Sequence, residues 1–254
     1  MGGGKTASGL TLLAFIAGSV LATFHMPLWR EATSLGEVSL GKAFGWTEAV
    51  AVQLAAFALI AAATTWIERR RQIARPPAPQ KVHGCQRALR GPWPLLAGGV
   101  ALAFLNAATL LLSGQPWGIT WAFALWGGKT LQAAGYDLSA VPFWSGAFER
   151  AALAAPVLAD VTTVMDLGLI LGASLGAGLA GRFAPARRVS LGVVAASLLG
   201  GLLMGYGARI AFGCNIGAYF SGIASMSVHG WLWLAAALFA TPVGVELRNR
   251  LGVK

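Results

Sequence analysis

The sequence predicts an all-α membrane protein, a polytopic helical bundle with broken or re-entrant half-helices of the inverted-repeat type. Three observations carry this. Hydrophobic residues make up 56% of the 254-residue chain and charged residues 11%, against about 25% charged in globular domains. Mean hydropathy is +0.66. The apolar runs have the length of membrane crossings, and some are interrupted by glycine, proline and single charges.

The net charge of +10 falls mostly in short segments between apolar runs. That is the distribution of the positive-inside rule and argues against nucleic-acid binding. Residues 1–254 read as a single transmembrane domain. Two cysteines cannot make a disulfide framework. The run Ala7–Phe24 is followed by His25-Met26-Pro27 rather than by a small-x-small cleavage site, so it reads as a mature span.

Taken in order, the first span covers about Thr6–Phe24, long enough to cross at 1.5 Å per residue. His25–Gly45 is a loop of mixed charge. The second span runs about Trp46–Ile67, with Trp46 and Trp66 as interfacial anchors. Residues 68–92 hold Arg69, Arg70, Arg71, Arg75, Lys81, Arg87 and Arg90 against Glu68 alone, so this loop is expected on the cytoplasmic side. It is either a topology signal or a docking surface for an acidic partner. Within it, His83 and Cys85 lack further ligands nearby, so no metal site is expected.

The third span, Pro94–Ser113, ends at the break Gly114-Gln-Pro-Trp-Gly118. Ile119–Gly135 is a short half-helix carrying Lys129. Asp137–Arg150 reads as an outer loop. Pro156, Asp160 and Asp166 divide Ala151–Gly181 into a half-helix to about Ala159 and a span from about Thr163. Residues 182–188 form a second basic cytoplasmic loop. Ser190–Tyr206 leads outward, Ala218–Val228 is a half-helix, and Gly230–Leu247 brings the C-terminus to the cytoplasmic side. His25 and His229 fall at span ends and read as interfacial.

The function is expected in Gly205-Tyr-Gly-Ala-Arg-Ile-Ala-Phe-Gly-Cys-Asn-Ile-Gly217. This stretch places Arg209 and Cys214 among four glycines between apolar runs. An arginine in hydrocarbon costs roughly 2.5–3.5 kcal/mol on insertion scales. Irregular backbone at that depth survives only inside protein or beside a watery cavity. A broken helix facing a pathway accounts for it. The alternative makes Gly205, Gly207 and Gly213 helix-packing positions and Cys214 a small core residue. Gly114–Gly135 has the same character, and paired interrupted segments point to a transporter site. The string Gly-Gly-Lys-Thr at Gly3–Thr6 and Gly127–Thr130 lacks the upstream glycine of a phosphate-binding loop.

Arg209 and Lys129, with half-helix amino ends, suit an anion. Cys214 offers a thiol to a soft, sulfur-bearing one, and Asn215 an amide donor. Asp160 and Asp166 lie about 120° off a common helix face. They form a proton or sodium relay, or they neutralise Lys129 or Arg209. Asp160 is also placed to cap the helix starting near Val161.

Gly207-Ala-Arg-Ile-Ala-Phe-Gly-Cys-Asn-Ile-Gly217, with Ser221-Gly-Ile-Ala224, resembles the YeeE/YedE family of bacterial inner-membrane proteins. Gly114-Gln-Pro-Trp-Gly-Ile-Thr120 and Trp126-Gly-Gly-Lys129 resemble a second family stretch. The resemblance implies an inverted-repeat bundle that passes thiosulfate or a related sulfur anion, without cofactor and without catalysis. It places Cys214 on the path, surrounded by Arg209, Gly213, Asn215 and Gly217, with Lys129, Trp117 and Gly118 from the second stretch. It implies contact with membrane lipid and with a cytoplasmic sulfur carrier of the TusA type. Family members commonly carry more residues, with further cysteine motifs, where this chain has Met1–Lys5, so the expectation is a truncated sequence, a partner subunit that supplies the missing spans, or a reduced variant. The rival expectation is a membrane sulfur-transfer or docking protein using a thiol.

Overall fold

The computed structural model describes residues 4–32, 36, 38–72, 93–183, 185 and 189–251. The chain is an all-α bundle. Its helices are α1 (Thr6–Glu31), α2 (Leu40–Phe44), α3 (Trp46–Arg71), α4 (Leu95–Ser113), α5 (Thr120–Ala133), α6 (Ala147–Ala154), α7 (Val161–Leu179), α8 (Leu191–Ile210), α9 (Gly222–Ala224) and α10 (Val228–Arg250). Among the described residues, six of them (α1, α3, α4, α7, α8 and α10) are long and apolar enough to cross a membrane. Most of the basic loop of residues 68–92, with His83 and Cys85, lies outside the described residues, as do residues 186–188 of the second.

The most extensive interface among the described residues joins α1 to α8. The cause is a seam of small residues. Ala14, Gly18 and Ala22 recur every fourth residue on α1, and Ser197, Gly201 and Gly205 do so on α8; all are buried. A side chain at Gly18 would run into the Leu202 carbonyl, and one at Gly205 into the Phe15 carbonyl. This is the close backbone approach by which helices associate in lipid. Gly201 faces Thr11 and Ala14 while Gly205 faces Phe15, so contacts ascend together and the helices run parallel. The topology read from sequence, with both spans leading outward, has the same relation. Gly205 is thus a packing glycine, whereas Gly207 faces open space.

α5 is wedged beside this pair, and each residue of Trp126-Gly-Gly-Lys129 has a separate contact. Trp126 Nε1 donates to Thr163 Oγ1 at 3.0 Å. A Cβ on Gly127 would collide with Val20 of α1, and one on Gly128 would press on Trp144. Lys129 Nζ donates to the carbonyls of Leu153 and Ala155, each at 2.6 Å, at the end of α6. The described part of the first string, Gly4-Lys5-Thr6, lies instead at the start of α1, with Lys5 at its N-cap. The two strings therefore hold unrelated places.

The core gathers Met26, Ala124, Leu125, Leu138, Val141, Phe143 and Trp144. Trp144 Nε1 donates to Thr23 Oγ1 at 3.1 Å. This packing carries α1 through Pro27 to Glu31, beyond the expected end at Phe24. A proline removes one backbone donor, and the surrounding core holds the helix regardless.

Two further boundaries are corrected. The expected outer loop over Asp137–Arg150 contains a 3₁₀ turn at Pro142–Ser145 and the start of α6. The expected half-helix to Ala159 ends at Ala154, ahead of Pro156, and a 3₁₀ turn covers Val157–Ala159. At the other side of the bundle, Ser39 bridges Ser227, with Leu40 N donating to Met226 O at 2.9 Å and Val228 N to Val38 O at 3.0 Å. α4 has no buried residue, and α3 and α10 are largely exposed.

Gly205→Leu is expected to destabilise the protein by at least about 1–3 kcal/mol, the overpacking range, because the collision is with backbone. Gly207→Ala is expected to leave stability unchanged or slightly raised. Thermal unfolding of the two purified variants in detergent checks this.

Candidate functional site

α8 continues through Gly205, Gly207 and Arg209 to Ile210, so the chain breaks at Ala211–Cys214 rather than at Gly205. The close approach to α1 favours helix here and outweighs the roughly 1 kcal/mol glycine cost. The reversal itself uses positive φ, 54° at Phe212 and 151° at Gly213. Gly213 also admits no Cβ, which would lie 2.6 Å from Ala218 N. Cys214 then caps a π-turn, Asn215–Ser221, and its carbonyl accepts from Ala218 N at 2.9 Å and Tyr219 N at 3.3 Å. This replaces the expected α half-helix from Ala218 to Val228. Isolated π-turns are frequent at functional sites. His229 Nε2 donates to Ala211 O at 2.8 Å, so it holds the break in addition to standing at a helix start.

The two irregular segments meet. Ser221 Oγ donates to Trp117 O at 3.1 Å, and Trp117 N donates to Asn106 Oδ1 at 3.1 Å. Beside this junction lies a cavity of about 530 Å³, walled by Gly118–Trp121, Asp160–Thr162, Arg209, Gly213 and Gly217 among others.

Arg209 continues the α8 stripe Ser197, Gly201, Gly205 by one more four-residue step. It is 9% exposed, and its Nε and Nη1 have no hydrogen-bond partner. Among the described residues it forms no ion pair. Its guanidinium carbon lies 5.5 Å from the Phe143 ring centroid and 5.9 Å from that of Trp121, within cation–π range. The start of α5 opens into the same space, and no side chain caps it. Its first-turn N–H groups therefore add positive potential.

Asp160 also lines the cavity, but both its oxygens are engaged. Oδ2 accepts from Thr163 N at 2.7 Å as the N-cap of α7, and Oδ1 accepts from Trp121 Nε1 at 2.9 Å. It neutralises neither Lys129 nor Arg209. Asp166 is 2% exposed, and both its oxygens lack partners.

The cavity thus unites Arg209, Gly118, Gly213 and Gly217. Trp117 lies in sequence between the wall residues Pro116 and Gly118, and Cys214, a half-buried free thiol, lies with Asn215 between Gly213 and Gly217. Lys129 is held away from it on carbonyl groups. Sequence reasoning missed Trp121, which faces both Asp160 and Arg209. A tryptophan just inside a half-helix, after a glycine break, was the available signal.

Lys129→Met is expected to cost about 1–3 kcal/mol of stability by leaving the Leu153 and Ala155 carbonyls unpaired. Asp160→Ala is expected to cost about 1 kcal/mol as a lost cap, and Asp160→Asn less. Denaturation of the purified variants measures all three.

A family model described as Sulphur transport matches residues 1–243. The chain is 30% identical over 157 residues to a probable transporter, YedE, of Escherichia coli, covering 61% of this chain and 37% of the relative. It is 32% identical over 110 residues to the thiosulfate transporter TsuA of Spirochaeta thermophila, covering 41% of this chain and 31% of the relative. The matched part is therefore about a third of the length of each relative. No solved structure matches the chain. With its membrane-length helices and paired breaks beside a cavity lined by Arg209, the chain belongs to the sulphur-transport family.

Proposed function

We propose that this chain conducts a small sulfur-containing anion, thiosulfate first among them, across the bacterial inner membrane. The observation that carries the reading is Arg209, a buried guanidinium that lines a cavity and has two nitrogens without hydrogen-bond partners. Leaving such a charge unpaired is costly, and an oxyanion supplies the missing acceptors in the fork geometry that guanidinium favours. The uncapped start of α5 adds to the same attraction. Gly118, Gly213 and Gly217 keep the wall free of side chains. Cys214 receives the soft sulfur end of the anion as it leaves the cavity, with Asn215 and Trp117 beside it. Lys129 serves the pathway by holding α6 against α5.

In this reading residues 1–254 act as one transmembrane domain, and the two breaks are the paired halves of an inverted repeat. The basic segment of residues 68–92, the loop of residues 182–188 and the C-terminus face the cytoplasm. A sulfur carrier of the TusA type takes the delivered sulfur there. The exposed apolar sides of α3, α4 and α10 take lipid, and a partner subunit's spans would pack on them as well. The chain has no catalytic step of its own.

The test is uptake of labelled thiosulfate by cells lacking other thiosulfate permeases. Wild type is expected to take it up. Arg209→Gln is expected to lower uptake about 10- to 100-fold, the loss of a charged hydrogen bond, with insertion intact. Cys214→Ser is expected to slow uptake while leaving anion binding in place. Absence of uptake by well-inserted wild type rejects autonomous transport.

A further inference from the structure

Asp166 is a buried charge for which the anion pathway has no use. It sits in the second turn of α7 at 2% exposure, with neither oxygen hydrogen-bonded. A lone carboxylate removed from water is strongly disfavoured, and such a group takes up a proton in place of its charge. A metal cation in the same place needs several ligands. Among the described residues, no group of three or more histidine, cysteine or acidic side chains comes together. Thr163 Oγ1, one helical step away, already accepts from Trp126.

The charged surroundings are sparse. α7 packs against α5 and against the turn Val157–Ala159. The single titratable residue of α5 is Lys129, whose ammonium is engaged by the carbonyls of Leu153 and Ala155. The turn has none. Asp160, at the head of α7, is the like charge that acts on Asp166. In and beside the cavity stand Arg209 and, from α6, Glu149, whose charge acts on Arg209. Asp166 does not itself line the cavity, but a residue on its own helix does. Thr162 lines it and lies four residues earlier, so the two share a face of α7 about 6 Å apart along the axis.

We propose that Asp166 is a proton-binding site that couples anion movement to proton movement; this rests on the transport reading above. The carboxylate takes a proton from the compartment the cavity faces, forming an O–H bond. It gives the same proton up on the other side, and nothing is oxidised or reduced. The proton offsets part of the charge of an anion entering against a negative interior.

Purified protein in liposomes tests this with labelled thiosulfate in two assays. One is exchange of internal for external anion without a gradient. The other is net accumulation under an imposed pH gradient, acid outside. Wild type is expected to do both. Asp166→Asn is expected to retain exchange and to lose gradient-driven accumulation by about tenfold or more, within the usual range of coupling. Equal accumulation by Asp166→Asn and wild type overturns the proposal. So does wild-type accumulation that is indifferent to the pH gradient, a result that needs no variant to fold. Accumulation driven by a sodium gradient instead overturns it in favour of a cation site. Wild type that performs neither assay overturns the transport reading itself, whereas failure of coupling alone leaves exchange intact.

Discussion

The close contact of α1 with α8 is the constraint on which the site depends. In lipid there is no hydrophobic drive to join two helices, so their association rests on packing and polar contacts. Here glycine and alanine on both helices let the backbones touch. The stripe that makes the contact does not stop at its last glycine. One further step of four residues brings Arg209, and the same geometry that buries Gly205 buries the guanidinium. The packing seam and the buried guanidinium are thus two ends of one repeat on α8.

α5 translates this contact into a cavity. Its two adjacent glycines face different neighbours, Gly127 toward α1 and Gly128 toward Trp144. Trp126 and Lys129 fix the helix against α7 and α6. The helix is short, and its amino end opens into the cavity that Arg209 also lines. Short helices ending inside the bilayer need their free N–H groups satisfied, and the start of α5 opens into the cavity. The break after Ile210 has a comparable logic, because positive φ at Phe212 and Gly213 turns the chain back within a few residues.

Much of this was legible in the sequence. The membrane class and the spans follow from apolar runs and the placement of basic residues, and the two irregular segments from glycines beside isolated charges. Asp160 as the cap of α7 was readable from its position before an apolar run. The end of α1 was not, because Pro27 carries a local signal that tertiary packing of Met26 and Trp144 overrides. The onset of the break was misplaced for a related reason. Glycine weakens a helix locally but also permits backbone contact, and only the partner helix decides which effect prevails. Lys129 reads as a pathway charge until the carbonyl groups it serves, more than twenty residues away in sequence, are brought beside it.

The parallel run of α1 and α8 has a consequence for how the protein is made. Two neighbours that point the same way cannot be joined by a hairpin, and here Leu191 follows Glu31 by 160 residues (191 − 31). At a synthesis rate of about 5–20 residues per second, α1 waits roughly 8–32 seconds before the first residue of its partner is made. During that interval its glycine seam is open to lipid and to any other helix bearing small residues. The insertion machinery, or a neighbouring chain, has that long to occupy the seam first, so order of synthesis bears on assembly as well as final stability.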